Sequence, residues 1–268
     1  MPAPTVVAQA ALPEGGTLQF VRTGMQVRAE LDGVVIAALS LDVPGDVARI
    51  ADLSVRPEHR GRGIGTALVG CTAELLAAQG VRRLSVQPRP HEASWWRRNG
   101  FDGHDAVLQR ALPVLVEAPT AEAMRALGER LAALLRPGDV IIATGDLGAG
   151  KTTLTQGIGA GLAVAGPVIS PTFVLSRVHP STVGGPALVH VDAYRLGSFD
   201  ELEDLDLEAS LGDSVTLIEW GGGIAEGLAD DRVEIDIRRG LDPDDETRLV
   251  FLSGRGPRWA QRQLEGLR

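Results

Sequence analysis

The chain has 268 residues, 44 % of them hydrophobic and 23 % charged, a length and composition that suit two globular domains and contain no apolar run near the ~18 residues of a membrane span. Its net charge of −9 is unevenly shared: residues 1–113 carry 12 Arg against 11 acidic residues (+1), and residues 114–268 carry 14 basic against 24 acidic residues (−10). A half at −10 repels a polyanion, which excludes tight, unaided nucleic-acid binding there and points to a protein partner for any such role.

Residues 1–16 contain three prolines and mostly small residues, so they read as a loose lead-in. They lack the basic start and apolar core of a signal peptide. Residues 26–31 alternate, Asp32-Gly33 marks a tight hairpin turn, and residues 34–41 return as the second strand. A third strand is predicted over 48–55. Then come Arg60-Gly61-Arg62-Gly63-Ile64-Gly65-Thr66 and a helix to Gln79, stopped by Gly80. Cys71, the single cysteine, excludes an internal disulfide; on that apolar helix it reads as a small buried hydrophobe, which fits a reducing cytoplasm. Residues 83–87 read as a strand and 95–99 as a short helix broken at Gly100-Phe101. Trp95 and Trp96 are adjacent on that helix, so both cannot face the core; one of them can line a groove.

The Arg60-x-x-Gly63-x-Gly65 spacing at a strand-to-helix turn is an anion cradle, because glycines let the backbone close on a diphosphate and the helix N-terminus faces it. With Val55-Arg56-Pro57 before it and Asn99-Gly100-Phe101 after it, the stretch from about 18 to 112 resembles the GNAT acetyltransferases. That resemblance implies acetyl-CoA as cofactor. Its pyrophosphate would lie on the cradle of Arg60, Gly61, Arg62, Gly63, Ile64, Gly65 and Thr66, and its pantetheine along Leu53 and Val55. The sequence departs from the family in two ways. Too few residues precede the first strand for the family's two helices, and Trp96 stands where the family carries a proton-donating tyrosine. An indole cannot supply that proton. His91 and Glu92 are the nearby polar groups, and they read either as substitutes or as a solvated loop.

Leu112-Pro113 closes the first pattern, which divides the chain into domains 1–113 and 114–268. A strand begins at Val114. Thr120 is a predicted N-cap for a helix whose Met124, Leu127, Leu131, Leu134 and Leu135 recur at helical spacing. Residues 139–144 are a short β-branched run, a buried strand by pattern. They lead into Gly145-Asp146-Leu147-Gly148-Ala149-Gly150-Lys151-Thr152, the Gly-x-x-x-x-Gly-Lys-Thr loop that cradles phosphates, followed by a helix. Its loop amides and helix N-terminus attract an anion. The phosphate-binding set is Gly145, Leu147, Gly148, Ala149, Gly150, Lys151, Thr152 and Thr153, with Lys151 on the β- and γ-phosphates and the Thr152 hydroxyl on Mg²⁺. Lys151 is the chain's one lysine; everywhere else the basic residue is arginine. A compact ammonium fits between phosphates where a planar guanidinium does not.

Ser170-Pro171-Thr172-Phe173 reads as a γ-phosphate switch through Ser170 and Thr172, or as a simple turn. Strand alternation over 188–192 places His190 and Asp192 on one face, with Asp192 at the strand end as a candidate to orient water. His190 alone reads as a structural histidine. Ser198 and Glu201 form a predicted capping box. Residues 214–219 form an apolar strand ending in Glu219, the carboxylate that a Mg²⁺ site needs opposite the phosphate loop. Residues 232–237 and 247–252 read as the last strands. No other arginine is obviously placed to reach the phosphates.

Gly145-Asp146-Leu147-Gly148-Ala149-Gly150-Lys151-Thr152-Thr153, Ser170-Pro171-Thr172-Phe173, His190-x-Asp192-x-Tyr194-Arg195-Leu196 and Ile218-Glu219-Trp220, in that order, resemble the TsaE family over residues 114–255. The resemblance implies ATP and Mg²⁺, with Thr152 and Glu219 as metal ligands, Lys151 on the phosphates and Asp192 supporting hydrolysis. It also implies TsaD and TsaB as partners in making N6-threonylcarbamoyladenosine at position 37 of tRNA, with tRNA met only through them. The expected fold is α/β in two domains: a small GNAT-like α+β domain, then a P-loop NTPase domain with a mixed sheet flanked by helices. Two other readings stay open. One is a small-molecule kinase with Asp192 as base, though the chain lacks the arginine-rich lid insertion of such enzymes. The other is an ATPase whose first domain senses acyl-CoA without transferring the acyl group.

Overall fold

A computed structural model of the chain describes residues 4–11, 17–103, 106–171, 174–239, 246–259 and 261–268. It divides into two compact units, residues 1–113 and 114–268, each with its own core.

The first unit is a seven-stranded sheet in sequential order: β1 (Thr5–Ala11), β2 (Thr17–Thr23), β3 (Gln26–Leu31), β4 (Val34–Asp42), β5 (Val47–Val55), β6 (Arg83–Val86) and β7 (Leu108–Ala111). Only β5 and β6 pair in parallel. Their crossover holds α1 (Ile64–Ala78), whose Leu68, Val69, Leu76 and Ala77 are buried. A second helix, α2 (Ala93–Arg98), precedes β7. The predicted lead-in is a correction: residues 5–11 pair with β2 in an antiparallel ladder. Backbone pairing needs no hydrophobic alternation, so a segment of small residues with prolines at its flanks hid it. No helix occurs among the described residues before Pro57.

The β5 ladder carries the feature that shapes this unit. Ser40 pairs with Asp52 and Leu41 with Ile50, so Ala51 is a bulge. Pairing of β5 with β6 stops at Ile50–Val86. A bulge bends its strand and ends local pairing, so residues 51–55 diverge from β6 and their backbone on that side is free of the ladder.

The second unit is a mixed sheet between helices. It contains β8 (Val114–Ala118), α3 (Ala121–Ala132), β9 (Val140–Thr144), α4 (Lys151–Gly161), β10 (Ser176–His179), β11 (Ala187–Asp192), α5 (Phe199–Glu203), α6 (Glu208–Leu211), β12 (Ser214–Glu219), β13 (Arg232–Arg239), β14 (Arg248–Arg255) and α7 (Gln261–Glu265). The strand order is β10-β11-β12-β9-β13-β14-β8. The central four strands are parallel and the outer pairings antiparallel. Thr120 caps α3 as predicted, its side chain accepting from the Ala123 amide at 3.2 Å. Ser198 caps α5 by accepting from the Glu201 amide, but the Glu201 carboxylate takes the Gly197 amide, one residue before the capping-box partner. Helix α7 was not predicted; Leu264 and Leu267 nonetheless bury against the main core.

Helices α3 and α4 cover the same sheet face and lie unusually close. Gly128 of α3 sits against the backbone of Leu154 to Ile158, and Gly157 of α4 against the Arg125 carbonyl. A methyl at either position would enter backbone atoms, which cannot rotate away. Gly157→Ala is therefore expected to lower the unfolding free energy by about 1–3 kcal/mol through overpacking, although alanine in a helix is intrinsically favoured over glycine by about 1 kcal/mol. Urea denaturation checks it, and a stabilised variant would show that the two helices can separate freely.

Candidate functional site

Parallel strands that start level also end level. In the second unit Asp192, Glu219 and Ala143 stand side by side in register at the C-terminal ends of β11, β12 and β9. One residue beyond Thr144, the phosphate loop begins. Gly145 has φ 137°, and a side chain there would collide with the Ile237 carbonyl of β13. Only glycine allows the loop to leave the sheet at that point. The loop ends at Gly150, and Lys151 opens α4.

Lys151 is buried, at 5 % exposure, and its ammonium folds back onto the carbonyls of Gly145 (2.7 Å) and Asp146 (3.0 Å). The Trp220 ring lies over it, 3.6 Å from Nζ to the ring centroid. Burial pushes the Lys151 pKa below the ordinary lysine value, while the charges of Glu219, Asp192 and Asp146 hold it up. Trp220 reaches this place by an uncommon turn. It has φ 62°, its amide bonds to the Ala143 carbonyl at 2.8 Å, and its ring meets Tyr194 edge-on at 5.1 Å. Gly221 then fits against Ile218 and Ile142 and begins a helical turn, through its carbonyl, to Ile224 and Ala225. Gly221 is thus packed, while Gly222 and Gly223 are exposed.

Glu219 is 2 % exposed. Its Oε2 accepts from the Thr152 hydroxyl at 3.1 Å, and its Oε1 from His190 Nε2 at 2.8 Å, with the Thr155 hydroxyl 3.4 Å away. Asp192 accepts from the Ser170 hydroxyl at 2.7 Å and the Tyr194 amide at 3.1 Å. Lys151, Thr152, Ser170, Asp192 and Glu219 therefore converge on one edge of the sheet. Thr172 lies outside the described residues. Ala149 is buried, whereas Leu147 projects at 82 % exposure from the loop tip; Thr153 is half-buried on the first turn of α4. Sequence reasoning missed three neighbours. His190 bonds the carboxylate, Trp220 covers the ammonium, and Arg239, at the end of β13, donates to the Leu147 carbonyl at 3.2 Å. The alternation that put His190 on the face of Asp192 was the available signal for the first. Arg239 stands beside the loop, where the sequence singled out no arginine as a finger, and its position follows from β13 pairing with β9.

In the first unit, the divergence of β5 from β6 opens a cavity of about 920 Å³. Leu53, Val55, Arg60, Gly61, Gly63, Ile64, Gly65 and Thr66 line it, together with Asp52, Ser54, His91, Glu92 and Trp95. Arg62 is not among the lining residues; it approaches His59 at 3.5 Å. Arg60 donates to the Val55 carbonyl at 3.0 Å, so one strand-end acceptor is already satisfied. Trp96 is buried edge-on to Phe101 at 5.1 Å yet still borders the cavity, and Trp95 lines the cavity beside it with its ring against Gly65. The position of the absent tyrosine is thus filled by a core residue.

Comparison with known proteins finds a family match for each unit. The model of the family "Threonylcarbamoyl adenosine biosynthesis protein TsaE" matches residues 118–248, and that of the "Acetyltransferase (GNAT) family" matches residues 9–101. The tRNA threonylcarbamoyladenosine biosynthesis protein TsaE of Streptomyces coelicolor is 60 % identical over 139 residues, covering 51 % of this chain and 94 % of that protein. The chain belongs to the TsaE family. The TsaE protein of Bacillus subtilis is 41 % identical over 131 residues, covering 48 % of this chain and 79 % of its own. The solved structure of Bacillus subtilis YdiB aligns at 32 % identity and a TM-score of 0.47, covering 58 % of this chain and 93 % of that one. Ahead of its TsaE unit, this family member carries a GNAT-family unit.

A single lysine gives a single ε-amine resonance. In the nucleotide-free TsaE-family chain, that resonance is expected to titrate below the ordinary lysine value of 10.5. Glu219→Gln should move it lower still, because the Glu219 charge is the largest influence holding it up. NMR of protein labelled with ¹³C-lysine measures both; an upward move in the variant would show that the carboxylate does not face the ammonium.

Proposed function

We propose that the chain is a Mg²⁺-dependent ATPase serving the machinery that makes N6-threonylcarbamoyladenosine in tRNA, with an acetyl-CoA-binding unit ahead of it. The observation that carries this reading is the 3.1 Å bond between Thr152 and Glu219 beside the buried Lys151 ammonium. A hydroxyl and a carboxylate are hard oxygen donors of the kind Mg²⁺ takes, so the residues present fit the ion. Bound there by Thr152 and Glu219, Mg²⁺ would supply neutralisation of the phosphate charge.

The chain's own part is mainly electrostatic. Lys151 exchanges the Gly145 and Asp146 carbonyls for phosphate oxygens, keeping its three donors occupied. The loop amides and the start of α4 hold the remaining phosphate charge. Asp192, fixed by Ser170 in the row beside Glu219, orients the attacking water. Burial of these groups strengthens each interaction, since little water screens them. The partners proposed are TsaD and TsaB, the setting is the cytoplasm, and tRNA is met through those partners, a route that the charge of −10 on residues 114–268 favours.

For the first unit, the cavity, the unpaired run of β5 and the start of α1 support acetyl-CoA binding. The burial of Trp96 favours a second reading for this unit alone, in which it senses acyl-CoA without transferring the acyl group.

Lys151→Ala and Glu219→Ala are each expected to lower ATP turnover by about 100-fold or more, the scale lost with a principal electrostatic stabiliser. Unchanged hydrolysis in either would refute the site. Calorimetry with acetyl-CoA should show binding to the full chain. A radiolabelled transfer assay on N-terminal peptides then separates the two readings: label on the peptide supports transfer, and binding without label supports sensing. Co-purification with TsaD and TsaB should depend on ATP.

A further inference from the structure

His190 is fully buried and makes one hydrogen bond among the described residues, from Nε2 to Glu219 Oε1 at 2.8 Å. Its Nδ1 is buried with no partner. A histidine that served the core would satisfy both nitrogens, because an unmet buried polar atom destabilises the fold. A buried N–H without a partner is rarer than a buried lone pair without one, which places the ring proton on Nε2, facing the carboxylate. We propose that His190 is a positioning residue for Glu219, fixing one carboxylate oxygen so that the other is presented to a divalent cation beside Thr152.

The competing donors are accounted for. The Thr155 hydroxyl has one proton and a nearer acceptor, the Lys151 carbonyl at 2.9 Å against 3.4 Å to Glu219. Thr152 approaches the other oxygen, Oε2. His190 is therefore the main donor to Oε1. The terminal torsion of a glutamate is broad, and a carboxylate 2 % exposed has almost no water to orient it. One hydrogen bond to a buried ring, itself held on a central strand, removes that freedom. The register makes this reach possible: Asp192 pairs with Glu219, and His190 lies two residues earlier on β11, diagonal to the carboxylate on the same face. Partners of this kind are commonly worth 10–100-fold in metal affinity.

The inference rests on Glu219 as a cation ligand, and its test separates the two. Binding of a fluorescent ADP analogue to the full chain is measured in EDTA and in Mg²⁺. Wild type should gain affinity from Mg²⁺, and Glu219→Ala should lose that gain. His190→Leu is expected to bind the analogue in EDTA like wild type but to lose about 10-fold of the Mg²⁺-dependent gain. His190→Gln keeps an amide donor and should recover most of it. If Glu219→Ala retains the gain, the ligand assignment fails. If Glu219→Ala loses it while His190→Leu keeps it, or His190→Gln is as impaired as His190→Leu, the positioning role fails alone. A measurement independent of variant folding is the imidazole tautomer in ¹⁵N-histidine-labelled wild-type protein. A proton on Nε2 supports the inference, and one on Nδ1 alone overturns it.

Discussion

The constraint on which the second unit depends is that β9, β11 and β12 are parallel and end at one level. Three segments separated by tens of residues thereby deliver the phosphate loop, Asp192 and Glu219 to a single edge. Ligand sites outside the carboxyl ends of parallel strands follow from this geometry. The side chains gain their positions from the backbone ladder, and the ladder is held by apolar residues on both faces. Leu188, Val215, Leu217 and Ile141 pack toward α3 and α4; Val140, Ile142, Val189 and Ile218 pack on the opposite face. A site built on such strands is fixed before any ligand arrives.

That rigidity makes the burial of charge tolerable. Lys151, Asp192 and Glu219 are each almost wholly removed from water. An isolated buried charge is strongly unfavourable, whereas a paired and hydrogen-bonded one is tolerated. Lys151 has two carbonyls and an indole face; Glu219 has His190 and Thr152; Asp192 has Ser170 and a backbone amide. The groups that satisfy the charges are thus the same ones to which the proposed chemistry is assigned. The positive φ of Trp220 is part of the same economy, since it turns the indole over the ammonium that would otherwise face solvent on that side.

The phosphate loop and its partners were legible in the sequence for a physical reason. Glycines at fixed offsets, one ammonium and a strand-end carboxylate are demands of backbone geometry and charge, and few residue types meet them. The central strands were legible because burial on both faces leaves continuous apolar runs. What stayed hidden depended on contacts across the fold. The strand β1 is held by a ladder to β2, not by its own pattern; helix α7 is short, and its Leu264 and Leu267 matter only against the completed core. Arg239 reaches the loop because β13 lies beside β9, a pairing that sequence order does not announce. His190 looked ordinary because its importance lies in which carboxylate stands diagonal to it.

The first unit reverses this logic. Its cavity exists because pairing fails: the bulge at Ala51 bends β5 away from β6, and the freed backbone of residues 51–55 becomes one wall. Such a wall offers hydrogen-bonding groups to any extended polar ligand, and so supports binding without prescribing a reaction. Reaction would require a proton donor at the leaving group. The position where the resemblance expects one is occupied by Trp96, whose ring packs against Phe101, while His91 and Glu92 are polar side chains lining the same cavity. Restoring a hydroxyl there would exchange a large buried indole for a smaller ring, at the expense of the packing that holds α2 against the sheet. On the proposed reading, binding and chemistry are separable in this unit, whereas in the TsaE unit the groups proposed to hold the phosphates are also those proposed to act on them.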